Sequence, residues 1–242
     1  MEIGTQEPSS RAGQSFRQWT LLVLTAFAIA MALLESAVVV YMRRLYYPDD
    51  PMELFPLHFL NSYDPTLELS REVSTIVMIV TVALLAERSK SLTRKFAAFV
   101  YVFGMWDLFY YVWLKVLMGW PRTWLEWDVL FLIPMIWLGP WICPALIAIL
   151  FIIWGGWVLQ SPHRLEFTKT GVAVFVVGST LGLIAFMQPA AAVSWSGEGE
   201  ANQRLAEYMP GQFWWWLYLI GLVLMTVGFA MTGRIETKMP SE

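Results

Sequence analysis

Six apolar blocks, each about the length of a membrane span, dominate the chain and limit the folds open to it. They cover residues 19–42, 66–86, 96–118, 141–160, 171–187 and 213–231. A hydrocarbon core about 30 Å thick is crossed by roughly 20 residues of α-helix. Charged residues make up 14% of the 242 positions, against about 25% in an ordinary soluble domain. The sequence therefore predicts an all-α integral membrane protein, a six-transmembrane-helix bundle.

The distribution of basic residues predicts how this bundle is oriented. Ten Lys and Arg residues fall in the N-terminal tail, the second and fourth loops and the C-terminal tail, whereas four fall in the other three loops. Lys and Arg are enriched in cytoplasmic loops. We therefore expect a multi-pass protein of the plasma (cytoplasmic) membrane with both termini in the cytoplasm. Polar tails over residues 1–18 and 232–242 flank a transmembrane domain over residues 19–231. The lipid bilayer is the predicted partner of this domain.

The stretch before the fourth span is apolar, but proline interrupts it. Pro134 and Pro140 lie within residues 128–140, and proline removes a helix hydrogen bond. Non-helical backbone at membrane depth must be shielded by protein or water. We interpret this stretch as a short re-entrant or interfacial segment, or alternatively as a kinked extension of the fourth span.

Ionisable residues inside three of the spans are the strongest functional signal in the sequence. A charge at the bilayer centre costs about 2.5–3.5 kcal/mol on insertion scales, so each needs a physical reason. With the predicted orientation, all of these residues fall in the middle-to-outer half of the membrane. They are Glu35 in the first span, Glu68, Arg71 and Glu72 in the second, and Asp107, Tyr111 and Lys115 in the third. We predict that they form one ion or proton site.

The charge balance of this set favours a bound proton, metal ion or cationic group. Four acids face two bases, and an unpaired carboxylate in a low dielectric is normally protonated or neutralised by a cation. Possible accessory residues are His58, Tyr110 and Asp128. If a metal ion binds, its candidate ligands are Glu35, Glu72, Asp107 and His58.

Two structural interpretations compete with a functional one. The charged set could be an ion-pair network that fixes helix register, with Lys115 reaching the outer interface. Glu126 and Asp128 could simply cap a short helix that follows them.

Several chemistries are excluded or disfavoured by residues the chain lacks. It contains no GxxxxGK[ST], GxGxxG, HExxH or GxSxG motif, so no nucleotide cofactor is expected. Cys143 is the single cysteine. His58 and His163 fall on opposite sides of the predicted membrane, which argues against a bis-His haem. A net charge of −3 argues against nucleic acid as a partner.

Three functions remain open from the sequence. The first is proton- or cation-coupled transport or channelling through the charged cluster. The second is a metal-dependent intramembrane enzyme that acts on a lipid-like substrate. The third is a non-catalytic subunit that binds other membrane subunits in a larger complex. The cluster favours the first, with Asp107 and Glu72 as the proton or ion carriers.

Overall fold

The protein is described here by a computed structural model, which covers residues 8–56, 64–195 and 209–234. Within these ranges the chain forms six α-helices and four short strands. The helices are α1 (Pro8–Tyr46), α2 (Asp64–Ala86), α3 (Leu92–Met118), α4 (Ile142–Gln160), α5 (Lys169–Trp195) and α6 (Trp215–Ala230). The strands are β1 (Trp127–Phe131), β2 (Trp137–Pro140), β3 (Leu165–Phe167) and β4 (Thr232–Arg234).

Five of these helices, α1 to α5, are long and apolar enough to cross a membrane. The chain therefore has the helices of a multi-pass membrane protein. Helix α6 is apolar but has 16 residues, or about 24 Å at 1.5 Å per residue. A sixth span thus stays a prediction. The largest extensions beyond the predicted spans are in α1, which begins inside the predicted polar tail, and in α5, which continues beyond residue 187 to Trp195.

Neighbouring helices alternate in direction, which gives the bundle two distinct ends. Helices α1 and α3 run parallel and are joined by a 2.7 Å hydrogen bond between the Thr25 and Tyr101 hydroxyls. Helix α2 runs antiparallel to them. We call the end where α1 and α3 finish the hairpin end, since β1 and β2 lie there. The opposite end, the tail end, holds the start of α1 and also β4, which pairs with β3. Both extremes of the described chain therefore lie at one end.

The proline-interrupted stretch before α4 forms a β-hairpin. Strands β1 and β2 pair antiparallel, with Asp128 opposite Gly139 and Val129 opposite Leu138. Pro134 lies in the connection between them, where its missing N–H is not needed for pairing. Strand pairing satisfies the backbone groups that a proline-broken helix would leave without partners. The kinked-helix alternative is therefore wrong, and no short helix follows Asp128 for it to cap.

Glycines set the closest helix contacts. A Cβ added at Gly178 of α5 would lie 2.7 Å from the Gly221 carbonyl oxygen of α6, and the reverse substitution gives the same distance. Gly104 of α3 and Gly155 of α4 oppose backbone in a similar way. Small residues of this kind let membrane helices approach closely. The two contacts fix the helix pairs α5–α6 and α3–α4.

The tail half of α1, α2 and α3 is filled by apolar side chains. Leu24, Ala28, Ile79, Ala83 and Val102 are all essentially inaccessible there. The polar residues of the same helices lie closer to the hairpin end. The polar site described next is therefore separated from the tail end by a packed apolar layer.

Candidate functional site: an acidic cavity beneath the hairpin

A carboxylate on α1 links the first and second helices. Glu35, with 5% of its surface exposed, binds the Arg71 guanidinium and the Thr75 hydroxyl of α2 through its two oxygens. Arg71 also donates to Glu68 through Nε at 3.0 Å and contacts it through Nη2 at 2.9 Å. Glu35 and Glu68 therefore share one arginine, which joins α1 to α2 at a single depth.

A second buried ion pair joins α1 to the hairpin. Arg43 Nη2 lies 3.2 Å from Asp128 Oδ1, and the two side chains are only 3% and 4% exposed. The guanidinium carbon lies 4.0 Å from the centre of the Trp120 ring, a cation–π contact. Arg43 Nε and Nη1 and Asp128 Oδ2 are buried without a hydrogen-bond partner in the described structure. The pair is desolvated and only partly satisfied.

Asp128 lies in the hairpin, outside the candidate spans. Burial raises the pKa of its carboxyl to about 6, although Arg43 acts in the opposite direction. The Tyr111 side chain is a further electrostatic neighbour of this carboxyl. Asp128 therefore titrates closer to neutral pH than an ordinary aspartate does.

Glu72 projects from α2 towards the hairpin. Its Oε2 accepts the backbone N–H of Leu132 at 2.9 Å, just after β1 ends. The side chain is buried, and none of the ion pairs in the described residues includes it. Glu72 thus holds the hairpin through a neutral donor, and Arg71 acts on its charge from beyond ion-pair distance.

Asp107 of α3 is the least satisfied acid of the group. Among the residues that the structure describes, no hydrogen bond or ion pair reaches its carboxylate. Asp128, another acid, lines the same cavity as Asp107. In the low dielectric of a helix bundle, such a carboxylate needs a proton or a cation.

These residues surround one cavity of about 50 Å³ beneath the hairpin. Its charged and polar walls come from α2, α3 and β1, namely Arg71, Glu72, Thr75, Asp107, Tyr110, Tyr111 and Asp128. A water molecule needs roughly 10–15 Å³ of such space, so the cavity holds roughly three waters or one small ion.

Most of the predicted site residues meet at this cavity. Glu72, Asp107, Tyr110, Tyr111 and Asp128 line it, and Arg71 connects it to Glu35 and Glu68.

Lys115 lies apart. Its Nζ donates to the carbonyls of Gly119 at 3.0 Å and Pro121 at 2.7 Å, beyond the C-terminal end of α3. A cation there complements the negative end of the helix dipole. His58 falls outside the described residues, so its predicted accessory role is untested.

Two members of the site did not appear among the sequence candidates. Arg43 belongs to an Arg-Arg pair at the end of the first span and resembles an ordinary flanking charge. Thr75 is a common residue in membrane helices. The signal that singles out Arg43 is its partner Asp128, and that pairing exists only because the hairpin folds back over α1 and α3. Glu126, by contrast, accepts the backbone N–H of Thr123 at 3.1 Å and stabilises the turn before β1.

The charge balance identifies the acids that lack a cation. Five acids (Glu35, Glu68, Glu72, Asp107 and Asp128) surround two arginines, Arg43 and Arg71. Glu35, Glu68 and Asp128 are ion-paired. Glu72 and Asp107 are therefore the two carboxylates of the cavity without a paired cation.

The predicted metal ligands are Glu35, Glu72, Asp107 and His58, and His58 falls outside the described residues. Within the described ranges no group of three or more His, Cys, Asp or Glu side chains is placed to hold a metal ion. Of the four candidate ligands, Glu35 is already bound to Arg71 and Thr75.

The fold and this cluster together define a class: a multi-pass helical membrane protein that encloses an acidic cavity near one end of its bundle. No family model matches the chain, and neither a curated protein nor a solved structure is significantly similar to it. What the protein does must therefore be argued from the cavity itself.

Proposed function

We propose that this protein carries protons or small monovalent cations in the membrane, with Glu72 and Asp107 as the groups that bind and release them. One observation carries the proposal: these two carboxylates line the same cavity, and neither has a cation within ion-pair distance among the described residues. Such carboxylates are expected to bind protons or cations from solution.

The size of the cavity supports a small cargo. A volume of about 50 Å³ suits roughly three waters, and a chain of waters between two carboxylates conducts protons well. An intramembrane enzyme with a lipid-like substrate would need a larger polar pocket. The absence of a three-ligand cluster in the described residues also favours proton or monovalent-ion chemistry over a resident metal.

The two arginines have a positioning role in this proposal. Arg71 fixes α2 against α1 through Glu35, and Arg43 fixes the hairpin against α1 through Asp128. Together they hold Glu72 and Asp107 at one depth without neutralising either. The apolar layer between the cavity and the tail end, which includes Leu24, Ile79 and Val102, means that a transport cycle requires α1, α2 and α3 to separate there.

We also propose that the hairpin end faces outward and that both termini are cytoplasmic, in a plasma membrane. The excess of Lys and Arg in the tail-end segments supports this orientation. The cavity would then load from outside.

The proposal is tested by flux through reconstituted protein. Liposomes containing wild type and a pH-sensitive dye are given an inside-negative potassium diffusion potential, with valinomycin present, and a sodium-sensitive dye is used in a parallel series. We expect flux above that of empty liposomes, and a loss of at least about tenfold in Glu72→Gln and Asp107→Asn.

The matched control is Glu166→Gln, which removes an exposed acid of β3 that pairs with Arg164 far from the cavity. It should leave the flux unchanged. Wild-type flux equal to that of empty liposomes would overturn the proposal. So would undiminished flux in both cavity variants when their melting temperatures show folded protein. Variants that lose stability but keep flux would indicate a structural ion network.

A further inference from the structure

A second, larger cavity lies directly beside the acidic one. It has a volume of about 270 Å³ and is lined by α3, α4, α5, α6 and the hairpin. Trp106, Asp107, Leu130 and Phe131 line both cavities and form the wall between them. Asp107 is therefore common to a small polar space and a larger apolar one.

The walls of the larger cavity are mainly aromatic. Six aromatic side chains line it: Phe103, Trp106, Phe131, Trp137, Phe151 and Phe186. The indole N–H groups of Trp106 and Trp137 are buried and have no acceptor within the described part of the chain. Aromatic faces attract cations, and a quaternary ammonium enclosed by such rings is the best-known example.

One charge faces this aromatic space. Among the described residues that line the cavity, Asp107 is the only ionisable one, and no ion pair or hydrogen bond to it occurs in the described structure. On the other side of Asp107, the titratable and charged groups that line the acidic cavity are Arg71, Glu72, Tyr110, Tyr111 and Asp128. A positive ligand is thus favoured by Asp107, by the aromatic faces and by the acidic surplus of the neighbouring cavity.

We propose that the 270 Å³ cavity is a binding site for an organic cation, with its ammonium group against Asp107 and its apolar body among the aromatic rings. A dry cavity of about 150 Å³ binds benzene, so this one accommodates roughly ten non-hydrogen atoms. The inference rests on the proposed function in one respect, because both use the uncompensated charge of Asp107. It adds a second ligand class, a small aromatic or alkyl ammonium, which binds in the larger cavity.

Gly182 provides a way to block the cavity without disturbing its surroundings. It lies on the cavity wall, and a Cβ added there would meet no atom within 4 Å. Gly182→Leu therefore fills the cavity without a backbone clash. Gly233 of β4 is a matched control, since a Cβ there also meets nothing within 4 Å and β4 lies at the tail end.

The test is calorimetric titration of full-length, detergent-purified protein with benzyltrimethylammonium, corrected for detergent alone. Neopentylbenzene, which has the same shape and number of non-hydrogen atoms but no charge, is titrated in parallel. We expect saturable binding of the cation by wild type and by Gly233→Leu. Asp107→Asn and Gly182→Leu should weaken it by at least about tenfold, since removing one partner of a buried charge contact is a large loss.

No saturable binding by wild type would overturn the inference. Equal affinity of wild type and Asp107→Asn, or equal affinity for the cation and its neutral isostere, would overturn the role of charge. Unchanged affinity in Gly182→Leu would overturn the location.

Glu72→Gln separates this inference from the proposed function. Glu72 lines the acidic cavity but not the aromatic one, so the variant should bind the cation while losing ion flux. If Glu72→Gln keeps wild-type ion flux and cation binding still depends on Asp107, only the ion-carrier role of Glu72 is refuted, and the organic-cation site stands. If Glu72→Gln loses ion flux as expected but wild type does not bind the organic cation, only the organic-cation site is refuted.

Discussion

Removing Arg43 should destabilise the protein more than any other single charge deletion at the hairpin end. Arg43 and Asp128 are 3.2 Å apart and at most 4% exposed, so Arg43→Met leaves Asp128 without a counterion in a buried site. Breaking a buried pair in this way costs about 3–5 kcal/mol of unfolding free energy. Loss of the cation–π contact with Trp120 adds about 1–2 kcal/mol, which a sulfur–aromatic contact from the methionine offsets in part.

The double variant Arg43→Met/Asp128→Leu distinguishes this reasoning from simple loss of packing. Replacing both partners of a buried ion pair by apolar residues of similar volume is often neutral or stabilising. We therefore expect the double variant to recover most of the stability lost by Arg43→Met. The assay is equilibrium unfolding in detergent micelles, followed by tryptophan fluorescence. A double variant no more stable than Arg43→Met would refute the view that the unpaired Asp128 charge is the cause.

The same pair predicts an unusual pH dependence. Because the pKa of Asp128 is raised to about 6 in the folded protein, from 3.8, the folded state binds a proton more tightly than the unfolded state does. Its contribution to stability is therefore complete below pH 3.8 and is lost as the pH rises through about 6. In Asp128→Asn this decline should disappear. A variant with the same decline would show that another group causes it.

Three further outcomes follow from the packing. Gly178→Leu should lower the unfolding free energy by about 1–3 kcal/mol or more, since its Cβ would lie 2.7 Å from backbone. The assay is thermal unfolding, and Gly211→Leu is the control. It should show no such loss, because a Cβ at Gly211 meets nothing within 4 Å. Lys115→Met should lower the unfolding free energy by about 1 kcal/mol, because Lys115 loses its contacts with two carbonyls. Ion flux should be unchanged. A loss of flux in folded Lys115→Met protein would show that Lys115 contributes to the ion site. Burial opposes ionisation of Glu87, but hydrogen bonds from Ser89 and Arg94 outweigh it and lower the pKa of Glu87. Its stabilisation should therefore be present above pH 4.5 and fade as the pH falls through the lowered value, and Arg94→Gln should weaken that acid dependence in pH-jump unfolding.

The helical part of the fold could be predicted from the sequence because each membrane helix satisfies its own backbone hydrogen bonds. A run of about 20 apolar residues is therefore sufficient to identify it. Five such helices are present in the part of the chain that the structure describes. The exception is the stretch around Pro134, where the sequence excludes a regular helix but does not specify what replaces it. The hairpin depends on pairing between Trp127–Phe131 and Trp137–Pro140, which is a non-local property.

The charged residues of the candidate site could also be predicted from the sequence, but their partners could not. Charges at helical spacing within apolar spans are visible in any sequence, and Glu72 and Asp107 do line one cavity. Lys115 shares a helix face with Asp107, but it is long enough to reach the carbonyls beyond the helix end. Spacing along a helix therefore gave its face but not its partner.

The sequence by itself determined which helices form and which of them contain ionisable groups, because both properties depend on local composition and on a periodicity of 3.6 residues. Tertiary structure decided which charges neutralise each other. Arg43 meets Asp128 and Arg71 meets Glu35 through contacts between separate elements, whereas Glu68 and Arg71 lie three residues apart on α2. Glu72 and Asp107 are left without a cation for the same reason: ion pairing depends on distance in space, and the folding of the hairpin over α1, α2 and α3 sets that distance.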